Sequence, residues 1–117
     1  MSVVVNYSAT VESEAALAMA EEESARRGVD VHVVVEGGAD TVSVHRRAQE
    51  NATSWHVHEV PEHQSLTNAT LDLAADLGAD LIVIGARRRS PVGKLFLGSA
   101  AQEILLAAEA PVLLVKP

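Results

Sequence analysis

Hydrophobic positions along this chain follow two different periods, and the switches between them mark its elements. Ser2–Tyr7, Val31–Val35 and Leu81–Gly85 carry apolar residues at consecutive positions, as a parallel strand covered on both faces does. From about Glu12 to Arg27 the spacing changes to helical, with Ala15, Ala16, Met19 and Ala20 on one side and Gly28 placed as a C-cap. Gly37-Gly38 breaks the second strand, and Asp40 or Thr41 could cap a short helix reaching about Asn51. Ser54–Val60 alternates around Trp55, Val57 and Val60, which predicts a third strand, and Pro61 ends it. Leu66, Ala69, Leu73 and Leu77 share one side of a helix from about Ser65 to Leu77, capped by Gly78. A last helix runs from Ser99 to about Ala108. Pro111 and the strand Val112–Val115 follow it.

Strands that alternate with helices in this way require crossover connections, hence a parallel sheet with helices on its faces. The junctions Arg27-Gly-Val-Asp30 and Leu77-Gly-Ala-Asp80 use one device twice: a helix, a glycine cap, then a buried strand. No linker or low-complexity stretch interrupts the order, so residues 1–117 are expected to form one α/β domain. A chain of 117 residues that is 48% hydrophobic has enough apolar surface for a single core.

Charge narrows the partners. A formal net charge of -7 argues against nucleic acid or an anionic membrane, both of which demand a basic face. Glu21-Glu22-Glu23 reads as a solvated helix face, whereas Arg87, Arg88, Arg89 and Lys94 gather in a single loop. There is no cysteine, which removes disulfides, thiolate metal sites and cysteine nucleophiles. No signal-peptide pattern and no membrane-length apolar run is present, so a cytoplasmic location is expected. The sequons at Asn6, Asn51 and Asn68 are then chance matches.

The basic loop carries the most chemistry. Leu81-Ile-Val-Ile-Gly85 hands over to a loop that ends at Gly98-Ser99, where a helix starts at once. A strand that delivers a loop to a helix N-terminus presents unpaired N–H groups and a dipole suited to phosphate. Two readings of Ser99 stand open: Ser99-Ala-Ala-Gln102 fits a capping box, and the same hydroxyl fits a phosphate contact. The arginines fit a guanidinium clamp or an exposed solubilising loop. His56 and His58 lie on one side of a strand at metal-compatible spacing, with Glu59 or His63 available to complete a site. A half-exposed strand face accounts for them more simply. No nucleophile–base–acid pattern and no Walker lysine–serine pair occurs, which favours a binding protein over an enzyme.

Gly85-x-x-Arg88, nine further residues and Gly98-Ser99 together resemble the universal stress protein signature. The resemblance spans the chain and is strongest from Leu71 to Lys116, including the closing Ala-Pro-Val-Leu-Leu-Val. It implies an open five-stranded parallel sheet of order 3-2-1-4-5 with helices on both faces, similar to the adenine nucleotide alpha hydrolases. A site is then expected outside the strand ends where strands 1 and 4 diverge. The implied ligand is ATP or a related adenine nucleotide, accompanied by Mg and acting as a regulatory ligand in stress response. Slow ATP hydrolysis would lack a visible water-activating base.

The implied site residues are Asn6, Tyr7, Ser8 and Thr10 at the end of the first strand, Val34 on the second, Ile84, Gly85, Arg87 and Arg88 around the fourth, and Gly98, Ser99 and Ala100 at the last helix. The chain departs from the family pattern twice. Arg88 takes the second glycine position, where a side chain obstructs close backbone approach. Ser8 stands where the family usually places an aspartate, so an anionic acceptor is missing. The alternative is a member that binds no nucleotide and works as a dimeric interaction module. In either case the resemblance implies a homodimer formed through residues 112–115.

Overall fold

Parallel strands buried on both faces must sort successive side chains into two cores, and this chain does so. The computed structural model describes residues 1–51, 54–88 and 95–117, with Arg88, Leu95 and Phe96 described by backbone alone. The expectations for Arg89, Lys94 and the sequon residues 52–53 lie outside the described residues. Strands β1 (Ser2–Tyr7), β2 (Asp30–Glu36), β3 (Trp55–Val60), β4 (Leu81–Gly85) and β7 (Val112–Val115) form the sheet. Their order is β3-β2-β1-β4-β7, every pair parallel, as the family resemblance implied.

Along β1, Val3, Val5 and Tyr7 face one cluster with Ala16, Leu17 and Ala20 of α1 (Val11–Arg27) and Val44 of α2 (Val42–Glu50). Val4 faces the opposite cluster with Ala74 of α3 (Leu66–Leu77) and Ala101 and Ile104 of α4 (Ser99–Ala107). Helices therefore cover both faces, α1 and α2 on one and α3 and α4 on the other. Thr10 caps α1 by accepting from the Ser13 amide (3.2 Å), and Ser65 caps α3 by accepting from Asn68 (3.1 Å). Gly28 and Gly78 close α1 and α3 with φ of 66° and 57°, the left-handed cap both junctions called for.

Three details differ from the sequence reading. Glu23 is buried, because it lies three residues after Ala20 and seven after Ala16 on the inner stripe of α1. Its carboxylate is satisfied by Arg26 and Arg27, each at 3.1 Å. On α3 the stripe against the sheet is Thr67, Thr70 and Ala74, and Leu66, Ala69, Leu73 and Leu77 flank it half-buried. Thr70 is tolerated there because its hydroxyl donates to the Leu66 carbonyl at 2.8 Å. Finally, the basic loop contains a short antiparallel ribbon of β5 (Arg87–Arg88) and β6 (Leu95–Phe96), which pairs Arg87 with Phe96.

Candidate functional site

Because β1 pairs with β2 on one side and β4 on the other, the chain leaves the two central strands in opposite directions. A crevice opens beyond their C-terminal ends. After β1 the backbone turns through Ser8, Ala9 and Thr10, with Ala9 in the left-handed region at φ 58°. That conformation costs a residue with a Cβ about 1–2 kcal/mol. Hydroxyls tie the turn together: Ser13 Oγ accepts from the Ser8 amide (3.2 Å) and from the Thr10 hydroxyl (3.0 Å), and lies 3.3 Å from Ser8 Oγ.

On the other wall, β4 ends at Gly85 against the first turn of α1. A Cβ built on Gly85 would lie 2.2 Å from the Glu12 carbonyl oxygen, so only glycine lets the strand end and the helix start meet. Gly98 is different. It forms the N-cap of α4 in extended backbone (φ −63°, ψ 166°), and among the described residues a Cβ there would meet nothing within 4 Å.

These walls enclose a pocket of about 100 Å³ lined by Asn6, Ser8, Glu12, Ser13, Ile84, Gly85, Arg87, Gly98, Ala100, Ala101 and Ile104. Asn6 is held from α3 by donating to Thr70 Oγ1 at 3.2 Å. Glu12 and Arg87 join across the mouth, with Arg87 Nε donating to Glu12 Oε1 at 3.1 Å. Partial burial pushes the Glu12 carboxyl up. Hydrogen bonds from its own amide, Arg87 and Thr10, with the Arg87 charge, outweigh that and hold it below its ordinary range. A larger cavity of about 470 Å³ opens between α3 and α4 near the start of β4, lined by Leu71, Ala75, Gly78, Ala107 and Pro111 among others. It has neither a cationic side chain nor a helix N-terminus, so the smaller pocket is the candidate.

Seven of the residues singled out from the sequence thus share one pocket: Asn6, Ser8, Ile84, Gly85, Arg87, Gly98 and Ala100. The others are placed differently. Tyr7 points to the α1–α2 face, because alternation along β1 opposes it to Asn6, and its hydroxyl contacts Glu14 and Ser43. Burial, first, and the Glu14 carboxylate raise the Tyr7 pKa. Val34 is packed in the α3–α4 core, and Thr10 serves as the α1 cap. The Arg88 side chain lies outside the described residues. Ser99 is the first helical residue rather than the cap, which overturns the capping-box reading. Gln102 Nε2 donates to the Leu97 carbonyl instead (2.9 Å), and among the described residues the Ser99 hydroxyl has no hydrogen-bond partner.

Sequence reasoning missed Glu12, Ser13, Ala101 and Ile104. The Thr10-to-Ser13 separation, that of a cap and its third helical residue, was the signal for the first two.

The Universal stress protein family model matches residues 35–116, which include β4, the Gly98 N-cap and β7. The chain belongs to the universal stress protein family. A universal stress protein from Mycolicibacterium smegmatis is 35% identical over 98% of this chain and 97% of its own length. One from Thermus aquaticus is 50% identical over 48 residues, covering 41% of this chain and 35% of its own. Among solved structures, a universal stress protein from Archaeoglobus fulgidus superposes with a TM-score of 0.71 at 32% identity, covering 98% of this chain and 97% of that one. Another from that organism, in complex with dAMP, gives a TM-score of 0.68 at 26% identity, covering 98% and 96%.

The two glycines of this universal stress protein should respond unequally to one methyl group. Gly85→Ala drives a Cβ into the Glu12 backbone and is expected to destabilise by about 1–3 kcal/mol, as overpacking does. Gly98→Ala should cost less, under about 1 kcal/mol in urea titration, because among the described residues the added Cβ meets nothing and only the N-cap preference for glycine over alanine is lost. Equal losses in urea titrations would contradict the contrast.

Glu12 generates a pH expectation. Its folded pKa lies below its ordinary value of 4.5, so the charged form contributes stability above that pH. The contribution is lost as pH falls through the depressed folded value. Glu12→Gln should therefore be less stable than the original protein at pH 7, with the gap closing in acid below pH 4.5. A gap that persists unchanged at low pH would rule out the Arg87 pairing as its source.

Proposed function

We propose that this protein is a regulatory adenine-nucleotide-binding member of its family, acting by binding rather than turnover, with ATP as its ligand. The observation that carries the reading is Gly98. Backbone geometry does not require glycine there: φ is ordinary and, among the described residues, a Cβ would meet open space, so only the N-cap preference for glycine over alanine or valine favours it. What a bare backbone does supply is access to the α4 N-terminus, whose N–H groups and dipole favour phosphate. The exposed Ser99 hydroxyl and the Arg87 guanidinium are the side-chain donors beside it. Asn6 and Ser8, at the end of β1, would meet the nucleoside. A relative solved with dAMP, 26% identical over nearly the whole chain, supports the ligand class.

A second reading, a nucleotide-free interaction module, draws on Glu12. Its carboxylate already occupies Arg87 and places negative charge where phosphate would enter. Calorimetry decides between them. ATP should bind the unmodified protein, and at a hundred times its dissociation constant should add about 2.7 kcal/mol of stability. Gly98→Val should keep the fold and lose ATP affinity by about tenfold or more, roughly 1.4 kcal/mol. No binding of ATP, AMP or dAMP would favour the module, and full affinity in Gly98→Val would move the site elsewhere.

The protein acts as a homodimer paired through β7. That strand ends the sheet order, and among the described residues nothing pairs with its outer side. Ile82 donates to Pro111 and Ala86 to Val115, so alternate residues from 111 to 115 serve the ladder with β4. By the same alternation Val112 and Leu114 aim their N–H and carbonyl groups outward. An uncovered apolar edge is a hazard that pairing with a second copy removes. Leu114→Pro deletes one outward donor and spares the ladder with β4. It should convert a dimeric mass in light scattering to a monomeric one, whereas a monomeric unmodified protein at micromolar concentration would refute the dimer.

A further inference from the structure

The β2–β3 register sets three imidazoles on one patch at the sheet edge opposite β7. His32 pairs with His56 across the strands and Val34 with His58, which gathers His32, His56 and His58 on the same face. His32 Nδ1 and His58 Nε2 lie 2.8 Å apart, so two ring nitrogens already point at one another with a proton between them. The His56 ring stacks on His32 with centroids 4.5 Å apart and planes 18° from parallel. Asp30 holds His56 Nε2 at 3.0 Å, which leaves its Nδ1 available. His58 also lines a groove of about 250 Å³ with Asp72 and Asp76 of α3.

We propose that this patch binds a divalent transition-metal ion of the imidazole-preferring kind, Zn²⁺, Ni²⁺ or Cu²⁺, through His32 Nδ1 and His58 Nε2, with His56 recruited as a third ligand. Nitrogens sharing one tetrahedral ion at about 2.0–2.1 Å stand about 3.3 Å apart, so the His32–His58 pair needs to open by only about 0.5 Å. The proton now shared moves to the far nitrogen of its own ring, and both lone pairs then face the ion. Among the described residues no three acid or histidine groups already surround a common point. His56 must therefore leave its stack, and water fills the remaining positions. Its side chain is 43% exposed, which leaves it room to turn. Asp30 would then orient it from outside the ligand set, as carboxylates do for metal-bound imidazoles.

Burial first, then the neighbouring histidine charges, lower the pKa of His32 and of His58, which favours the neutral ring that ligation requires. Zn, Ni and Cu share the preference for imidazole, and Cu²⁺ is expected to bind tightest of the three.

The test is calorimetric titration of the tag-free full chain with ZnCl₂ and, separately, CuSO₄, with electron paramagnetic resonance of the Cu²⁺ form. One ion per chain and nitrogen coupling to copper are expected. His32→Phe and His58→Phe, which keep a ring in place, should each abolish the site. Asp30→Asn should weaken it by about tenfold. His45→Ala and His63→Ala should leave it unchanged. Near-ultraviolet circular dichroism of each variant checks its fold. Any variant that fails this check is replaced by His32→Gln or His58→Gln, with the same loss expected. Absent metal heat and absent nitrogen coupling would overturn the proposal, as would binding that survives loss of His32 and His58.

Discussion

The contact between Gly85 and the carbonyl of Glu12 sets the geometry on which the candidate site depends. β4 ends and α1 begins at a separation that no side chain permits, and this close approach joins the two walls of the crevice. It brings Glu12 within reach of Arg87, the first residue of the ribbon after β4. It also leaves α4 to start at Gly98 on the far side of the same pocket. One missing methyl group thus determines which residues share the pocket. Gly98, by contrast, caps α4 in ordinary backbone, so the two glycines of a single motif answer to different constraints.

Much of the fold was legible because parallel strands announce themselves. Val3-Val4-Val5, Val33-Val34-Val35 and Ile82-Val83-Ile84 are apolar at consecutive positions, and both neighbouring layers need them so. The glycine caps at Gly28 and Gly78 were equally plain, since each carries a positive φ that other residues adopt at a cost. Where the reading fell short, the cause was tertiary. Glu23 looks solvated within a run of three acids until the stripe it occupies is seen against the sheet. Thr67 and Thr70 are polar by type but small and β-branched, and the Thr70 hydroxyl bonds its own helix, so both fit the stripe against the sheet.

The site was legible in outline and not in its chemistry. The strand–loop–helix order located Gly85, Arg87 and Gly98, which meet in space as their placement suggested. Helix and strand periodicity could not reveal that Glu12 would meet Arg87, because the partners are 75 residues apart. The same holds for the histidines. His56 and His58 were visible as a pair, but the third ring comes from β2 and the carboxylate from Asp30, not from Glu59 or His63. Of the two readings of Ser99, the capping box fails for a local reason: Gly98 takes the cap position and Gln102 turns back to Leu97.

The strand order carries a consequence for how the molecule assembles. β1, β2 and β3 are neighbours in both sequence and space, so half of the sheet can pair once Val60 has joined the chain. The other half begins only when Leu81 returns to lie beside Val3, and it finishes with Val115 beside Gly85. Closing that long span carries an entropic penalty, offset by the burial of β4 between its two helical layers. The turn after β1 and the start of the ribbon after β4 come from the two sides of that closure. The crevice between them exists only where both parts of the sheet are in place.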